Sequence, residues 1–144
     1  MQGVVALVPS NVVNGAANGR GAAWTLHGRP VPYASVPGDP TSYLEPEALI
    51  RAERARGPIL TVSAGHDALW PSGPYSVALH RRLDRRGFRH EHRDIRIEDA
   101  GHIVGGALPY RPIPAIPETG GSPAADAAGR ATAWPQILRF IDGL

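Results

Sequence analysis

The sequence contains no cysteine and no lysine, and only one methionine and two phenylalanines. Without cysteine the chain has no disulfide, no thiolate metal site and no cysteine nucleophile of its own. All fifteen basic side chains are arginines, a compositional bias from which we draw no function. Against thirteen acidic residues they leave a formal net charge of +2, so the charge does not indicate a nucleic-acid partner.

Long apolar runs are also missing. The apolar stretch near the N-terminus, residues 3–8, is far shorter than the roughly 18 residues that a membrane-spanning helix needs. No basic residue precedes it, so it does not have the pattern of an export signal. We therefore expect neither a membrane segment nor a membrane partner, and a cytoplasmic location follows by default.

The length and composition fit a single folded domain over residues 1–144. A hydrophobic fraction of 42% with 19% charged residues is ordinary for a globular protein of this size. Glycine and proline concentrate in two segments, residues 14–41 and 103–123, which we interpret as loops. The first of them is long enough to form a loop or a cap over a pocket.

Hydrophobic patterning predicts strands alternating with helices. Three segments have strand patterns: residues 4–8 have the composition of a strand buried on both faces, residues 59–64 that of a second buried strand, and residues 90–97 alternate with one apolar face. Three others have helical spacing: Glu45 to about Arg56, Ser72 or Gly73 to Gly87, and Ala124 to Leu144, although Pro135 disfavours the first turns of the last. This order predicts the α/β class, with three parallel strands and flanking helices.

Two polar residues follow two of these strands at the points where the strands end. Asp67 comes after the second strand and His102 after the third. Ligands of open α/β sheets bind outside the carboxyl ends of the strands, where both residues would lie. A carboxylate that accepts from one imidazole nitrogen leaves the other nitrogen to take a proton from a nucleophile. Asp67 and His102 are therefore candidates for the acid and the base of a catalytic triad, although they could also be an ordinary turn cap and a loop histidine.

Several short motifs resemble a known family when they are taken together and in order. They are Arg54-Ala55-Arg56-Gly57-Pro58-Ile59-Leu60, Gly65-His66-Asp67-Ala68-Leu69-Trp70-Pro71-Ser72, Ala100-Gly101-His102, Pro109-Tyr110, Gly120-Gly121 and Trp134. The chain from about Gly3 to its end resembles the C-terminal domain of acyl-CoA thioesterases and bile acid-CoA:amino acid N-acyltransferases. These enzymes have the α/β-hydrolase fold, so the resemblance implies the C-terminal half of that sheet.

The resemblance also implies chemistry. In that family a serine or cysteine attacks the thioester, the Asp orients the His, and the acyl group passes to water or to an amine. By position Asp67 is the acid and His102 the base, with an acyl-CoA or related thioester as substrate and no cofactor. Trp24 and Tyr33 fall in the segment that covers the acyl pocket, and Trp70, directly after the acid turn, could line it or simply pack.

The nucleophile is the part of the pattern that is missing. A nucleophile elbow has the sequence G-x-S-x-G or G-x-C-x-G, and no complete copy occurs. Ser63 and Ser122 lie in half-motifs, but neither has the expected place before the acid. We expect the nucleophile to lie upstream, the chain to be a fragment or a mis-started reading frame, and the isolated chain to be inactive.

Other interpretations stay open at this point. The same fold serves carboxylester and peptide hydrolases of the dienelactone-hydrolase kind. The chain could instead be an inactive association module, because missing strands would expose a sheet edge that invites self-association. His90 and His92 alternate along a strand, but no third ligand accompanies them, so we expect no metal. The arginines between residues 81 and 89 could steer the phosphates of coenzyme A or form a solvated helix face.

Overall fold

The computed structural model describes residues 2–16, 19–34, 46–106, 109, 111 and 113–144. Its strands are β1 (Val4–Leu7), β2 (Thr25–Leu26), β3 (Arg29–Pro30), β4 (Ile59–Ala64) and β5 (His92–Ile97). Its α-helices are α1 (Ser72–Arg85) and α2 (Pro123–Asp142). Short 3₁₀ turns lie at Pro46–Ala48, Ala52–Arg54, His102–Gly105 and Pro117–Thr119.

Three of the strands form one parallel sheet in the order β1-β4-β5. Val4 lies opposite Ile59, and Ile59 lies opposite His92, so the first residues of the three strands are aligned. The α/β class and the three parallel strands with flanking helices are therefore confirmed. Because parallel strands all end at the same edge, the loops after β4 and β5 emerge next to each other.

The central strand β4 is buried on both faces, and its side chains alternate between them. Leu60 and Val62 join a core cluster with three residues of α2: Ala133, Ile137 and Phe140. On the opposite face Ile59 packs with Leu79 and Leu83 of α1. The two helices thus cover opposite faces of the sheet, which leaves the strand ends free for the loops.

The helix predicted from Glu45 to about Arg56 is wrong where the structure describes it. Residues 46–54 form two 3₁₀ turns instead. Their backbone pairs with another segment: the N–H of Ile50 donates to the Asn11 carbonyl at 3.0 Å, and Leu49 bridges Val12 in antiparallel fashion. These hydrogen bonds to a distant segment replace the hydrogen bonds that an α-helix would make within itself. The charges at the two ends of the predicted helix do not indicate this pairing.

The prediction that the first strand is buried on both faces is also wrong. In the described part of the chain β1 has one neighbour, β4, and its side chains are only partly covered. The side chain of Leu7 is 41% exposed. The strand ends there because Val8 takes a positive φ of 42° and turns the backbone away. Association through this edge stays a prediction.

The two Gly- and Pro-rich segments are mostly irregular where they are described. The first contains a small antiparallel hairpin of β2 and β3, and its residues 17–18 and 35–41 lie outside the described residues. The predicted last helix is continuous as α2, with Ser122 as its N-cap and Pro123 in its first turn. Pro135 is accommodated inside it.

None of the helices in the described ranges is long and apolar enough to cross a membrane.

Candidate functional site

Asp67 lies in the tight turn that follows β4 and is held there by the backbone. Its Oδ1 atom accepts hydrogen bonds from the N–H groups of Leu69 at 3.1 Å and Trp70 at 3.2 Å. The side chain is only 1% exposed. A buried carboxylate with several donors has a single orientation, so this turn presents the group in a fixed direction.

The carboxylate of Asp67 contacts the imidazole of His102, which begins the 3₁₀ turn after β5. The His102 Nδ1 atom lies 3.1 Å from Oδ1 and 3.0 Å from Oδ2 of Asp67. Donation from Nδ1–H to this carboxylate leaves Nε2 as the acceptor of the neutral ring. No side chain in the described ranges makes a hydrogen bond to Nε2. The ring is therefore arranged to accept a proton from outside this group of residues.

Trp70 fixes the other side of the imidazole. Its ring meets that of His102 edge to face, with centroids 4.5 Å apart and planes at 82°. Its Nε1–H donates to the carbonyl of Val8 at 2.9 Å, at the end of β1. Trp70 thereby connects the ends of β1 and β4 and limits the tilt of the histidine ring. Its role in lining an acyl site stays a prediction.

A pair of glycines joins the acid loop to the histidine loop. Gly120 and Gly121 both have a positive φ and pack backbone to backbone against neighbouring loops. A Cβ atom on Gly120 would collide with the carbonyl oxygen of His66, and one on Gly121 would collide with the backbone of Gly101. The glycines allow a close approach that any side chain would prevent.

A buried carboxylate of α2 holds the backbone immediately before His102. The Oδ1 atom of Asp126 accepts the N–H of Gly101 at 2.7 Å, and Asp126 is buried. Two further backbone bonds tie the loops together, from His66 N–H to the Ala100 carbonyl at 2.9 Å and from Ala68 N–H to the Thr119 carbonyl at 3.3 Å. The Asp67–His102 contact is thus supported from three segments of the chain.

The family comparison agrees with this architecture. Residues 29–143 match the family model described as BAAT / acyl-CoA thioester hydrolase C terminal. This match covers well over half of the chain. The chain belongs to this family. No curated protein matches it. The resemblance of the short motifs to the family's C-terminal domain is confirmed.

The two serines in half-motifs have other partners in this BAAT-type domain. Ser63 is fully buried in β4, and its hydroxyl donates to Asp94 Oδ2 at 2.6 Å. Ser122 caps α2 by accepting the N–H of Ala125 at 3.1 Å. Neither is bonded to His102. The expectation that the nucleophile comes from elsewhere stays a prediction.

Trp24 and Tyr33 are not joined to the Asp67–His102 pair. Trp24 precedes the β2–β3 hairpin and is 67% exposed. Tyr33 packs its ring close to Gly15. No described ring contact or hydrogen bond connects either of them with His102. Their role over an acyl pocket stays a prediction.

Sequence reasoning did not anticipate the residues that position the pair. Asp126 had only the weak signal of an acid in the first turn of a helix. The Gly-Gly motif indicated that Gly120 and Gly121 could allow a close approach of two segments. It did not indicate which segments they would contact. These residues act on Asp67 and His102 through the backbone and are positioning residues.

A second polar group lies between the sheet and α1. Thr61 of β4 donates to Asp94 Oδ1 at 2.7 Å and lies 2.8 Å from the Nε2 atom of His80. The Nδ1 atoms of His80 and His92 are 2.9 Å apart, and His92 Nε2 lies 3.3 Å from Asp84. The gap between the two rings holds a single hydrogen, so the rings cannot both be charged in this arrangement.

Burial lowers the pKa of His80 below its ordinary value of 6.5, and His92 acts in the same direction, whereas Asp94 and Asp84 oppose the shift. Arg81 and Arg93 line the same depression. No group of three potential ligands in the described chain is arranged to hold a metal ion. We interpret the group as a structural network around His80.

This network predicts a loss of stability in mild acid. Because the folded-state pKa of His80 lies below 6.5, the unfolded chain binds a proton that the folded chain does not. The free energy of unfolding should fall as the pH decreases from about 7.5 to about 5.5. Urea unfolding at a series of pH values measures this, with His80→Gln as the comparison. A pH slope in that variant equal to that of the wild type would show that His80 is not the source.

Proposed function

We propose that this domain supplies the acid and the base of a Ser/Cys-His-Asp triad that acts on acyl-CoA thioesters. The observation that carries the proposal is the contact of Asp67 with Nδ1 of His102, which leaves Nε2 without a described partner. Membership of the BAAT and acyl-CoA thioester hydrolase family supports the thioester as the substrate class. The nucleophile and the oxyanion-hole donors come from a segment upstream of this domain, and the setting is cytoplasmic.

The proposed steps follow from the geometry. His102 Nε2 accepts the proton of the nucleophile as its oxygen or sulfur attacks the thioester carbonyl. Asp67 keeps the ring in the tautomer that makes this possible and stabilises the imidazolium that forms. The proton then goes to the thiolate of coenzyme A as it leaves. Water, or an amine acceptor, gives a proton to the same nitrogen as it attacks the acyl group, and that proton passes to the nucleophile as the acyl group is released.

Turnover of a long-chain acyl-CoA, followed by release of free thiol, tests the proposal. The domain is measured alone and after joining to the nucleophile-bearing half of a thioesterase of the same family. We expect hydrolysis only in the joined protein, and its loss in His102→Ala. Addition of an amine and analysis of the acyl product then separates hydrolysis from acyl transfer.

Two outcomes would contradict the proposal. Hydrolysis by the domain alone that disappears in His102→Ala would show that the nucleophile lies within the chain. A joined protein that cleaves simple carboxylesters but not acyl-CoA would exclude the thioester as substrate. Circular dichroism of each variant shows whether the domain has remained folded, so a loss of structure is not mistaken for a loss of chemistry.

A further inference from the structure

A cavity of about 390 Å³ opens between helix α1 and the segments that precede β4. Its walls are Asn11, Leu49, Ala78, Arg81, Arg82 and Arg85. The four helical residues recur at the spacing of one helix face, so the face carries three guanidinium groups into one cavity. It is lined by residues other than those of the Asp67–His102 pair.

The positive charge of the cavity is only partly neutralised. Arg82 is fixed by Glu53, whose Oε2 atom lies 3.2 Å away, and by the carbonyl of Ile50. Arg81 and Arg85 are exposed and have no acidic partner in the described part of the chain. Three arginines against one glutamate leave an excess of two positive charges. An anionic group is the ligand that such a cavity favours.

A buried polar side chain in the wall lacks a partner. Asn11 is 3% exposed, and its Oδ1 atom accepts no hydrogen bond from any described residue. An unpaired buried acceptor is destabilising, and native proteins rarely leave one without reason. A ligand that carries a hydrogen-bond donor beside its negative charge would satisfy this atom.

We propose that the cavity binds a phosphate group. Phosphate oxygens accept the paired N–H donors of arginine, which are strong charge-assisted hydrogen bonds. A phosphate that keeps a P–O–H, or that is attached to a sugar hydroxyl, donates to Asn11. The site does not depend on the proposed thioester chemistry. The phosphate belongs either to a free phosphate compound or to the nucleotide end of coenzyme A.

The test is equilibrium binding to the full chain by isothermal titration calorimetry. The probes are inorganic pyrophosphate, adenosine 3′,5′-bisphosphate and coenzyme A. The double variant Arg81→Gln with Arg85→Gln removes two charges that line the cavity. The matched control, Arg86→Gln with Arg89→Gln, removes two charges from exposed positions just beyond them that do not line it.

We expect saturable binding of one molecule per chain, weakened at least about tenfold in the cavity variant and by no more than about twofold in the control. Coenzyme A binding more tightly than pyrophosphate would assign the site to the coenzyme, and equal affinities would assign it to a free phosphate. Absence of saturable binding of all three probes would overturn the proposal. So would an equal loss in both double variants, which would show only an effect of net charge. Failure of the turnover test leaves these results unaffected.

Discussion

Asp67→Asn should lower the turnover of the joined protein by roughly four orders of magnitude, as expected for the acid of such a triad. The asparagine oxygen can still accept the N–H groups of Leu69 and Trp70, so the turn should be retained. Its NH₂ group, however, would face His102 Nδ1 as a donor. The ring then places its hydrogen on Nε2, the nitrogen that must accept the proton of the nucleophile.

The measurement has two parts. Steady-state kinetics should show a fall in kcat with little change in KM, because the lost interaction operates in the transition state. Nitrogen NMR of the His102 ring in the domain alone should show the change of tautomer. Asp99→Asn is the matched control, since Asp99 is an exposed acid three residues before His102. Unchanged turnover in Asp67→Asn would remove Asp67 from the triad.

Gly101→Ala should destabilise the domain by about 3 kcal/mol. A Cβ atom at this position would overlap with the carbonyl group of Gly120 and lie 2.7 Å from the carbonyl oxygen of Thr119. Both obstacles are backbone atoms, so relief requires the loops to separate. The bond from Gly101 N–H to Asp126 and the position of His102 would be lost with that separation.

Urea unfolding measures the change in stability, and the His102 ring resonance reports on the contact with Asp67. Gly106→Ala is the matched control, because a Cβ at Gly106 meets its nearest neighbour at 3.4 Å and its φ is −87°. The control should be close to the wild type in both measurements. Equal stability of the two variants would show that the loops are not held together at Gly101.

The sequence allowed the parallel sheet and the Asp67–His102 pair to be predicted because both depend on local pattern. A strand of six apolar or small residues is recognisable from Ile59 to Ala64, and the order of elements places the following loops at one edge. Thr61 and Ser63 were less informative. Their alternation with Leu60 and Val62 indicates a second, polar face of the strand. The neighbouring sequence does not indicate that Asp94 and His80 would be their hydrogen-bond partners.

Long-range contacts account for the errors. The helix predicted from Glu45 to about Arg56 had suitable charges at both ends, yet its described backbone pairs with Asn11 and Val12, which are far away in the chain. Asp126 could not be connected with Gly101 for the same reason, since 25 residues separate them. Local propensity is a weak determinant when a distant segment offers hydrogen bonds of its own.

The contacts of Thr61 with helix α1 have a mechanical consequence. The Thr61 hydroxyl lies 2.7 Å from that of Ser76 and 2.8 Å from Nε2 of His80, so a slide of α1 by one turn would take both partners away from Thr61. The acid turn lies near the start of α1 and the arginine cavity lies near its end, so a helix held in one register keeps the two at a fixed separation. These two ends are about 15–20 Å apart along the axis. A single ligand that reached both would have to be an extended molecule with its anionic end that far from its reactive group.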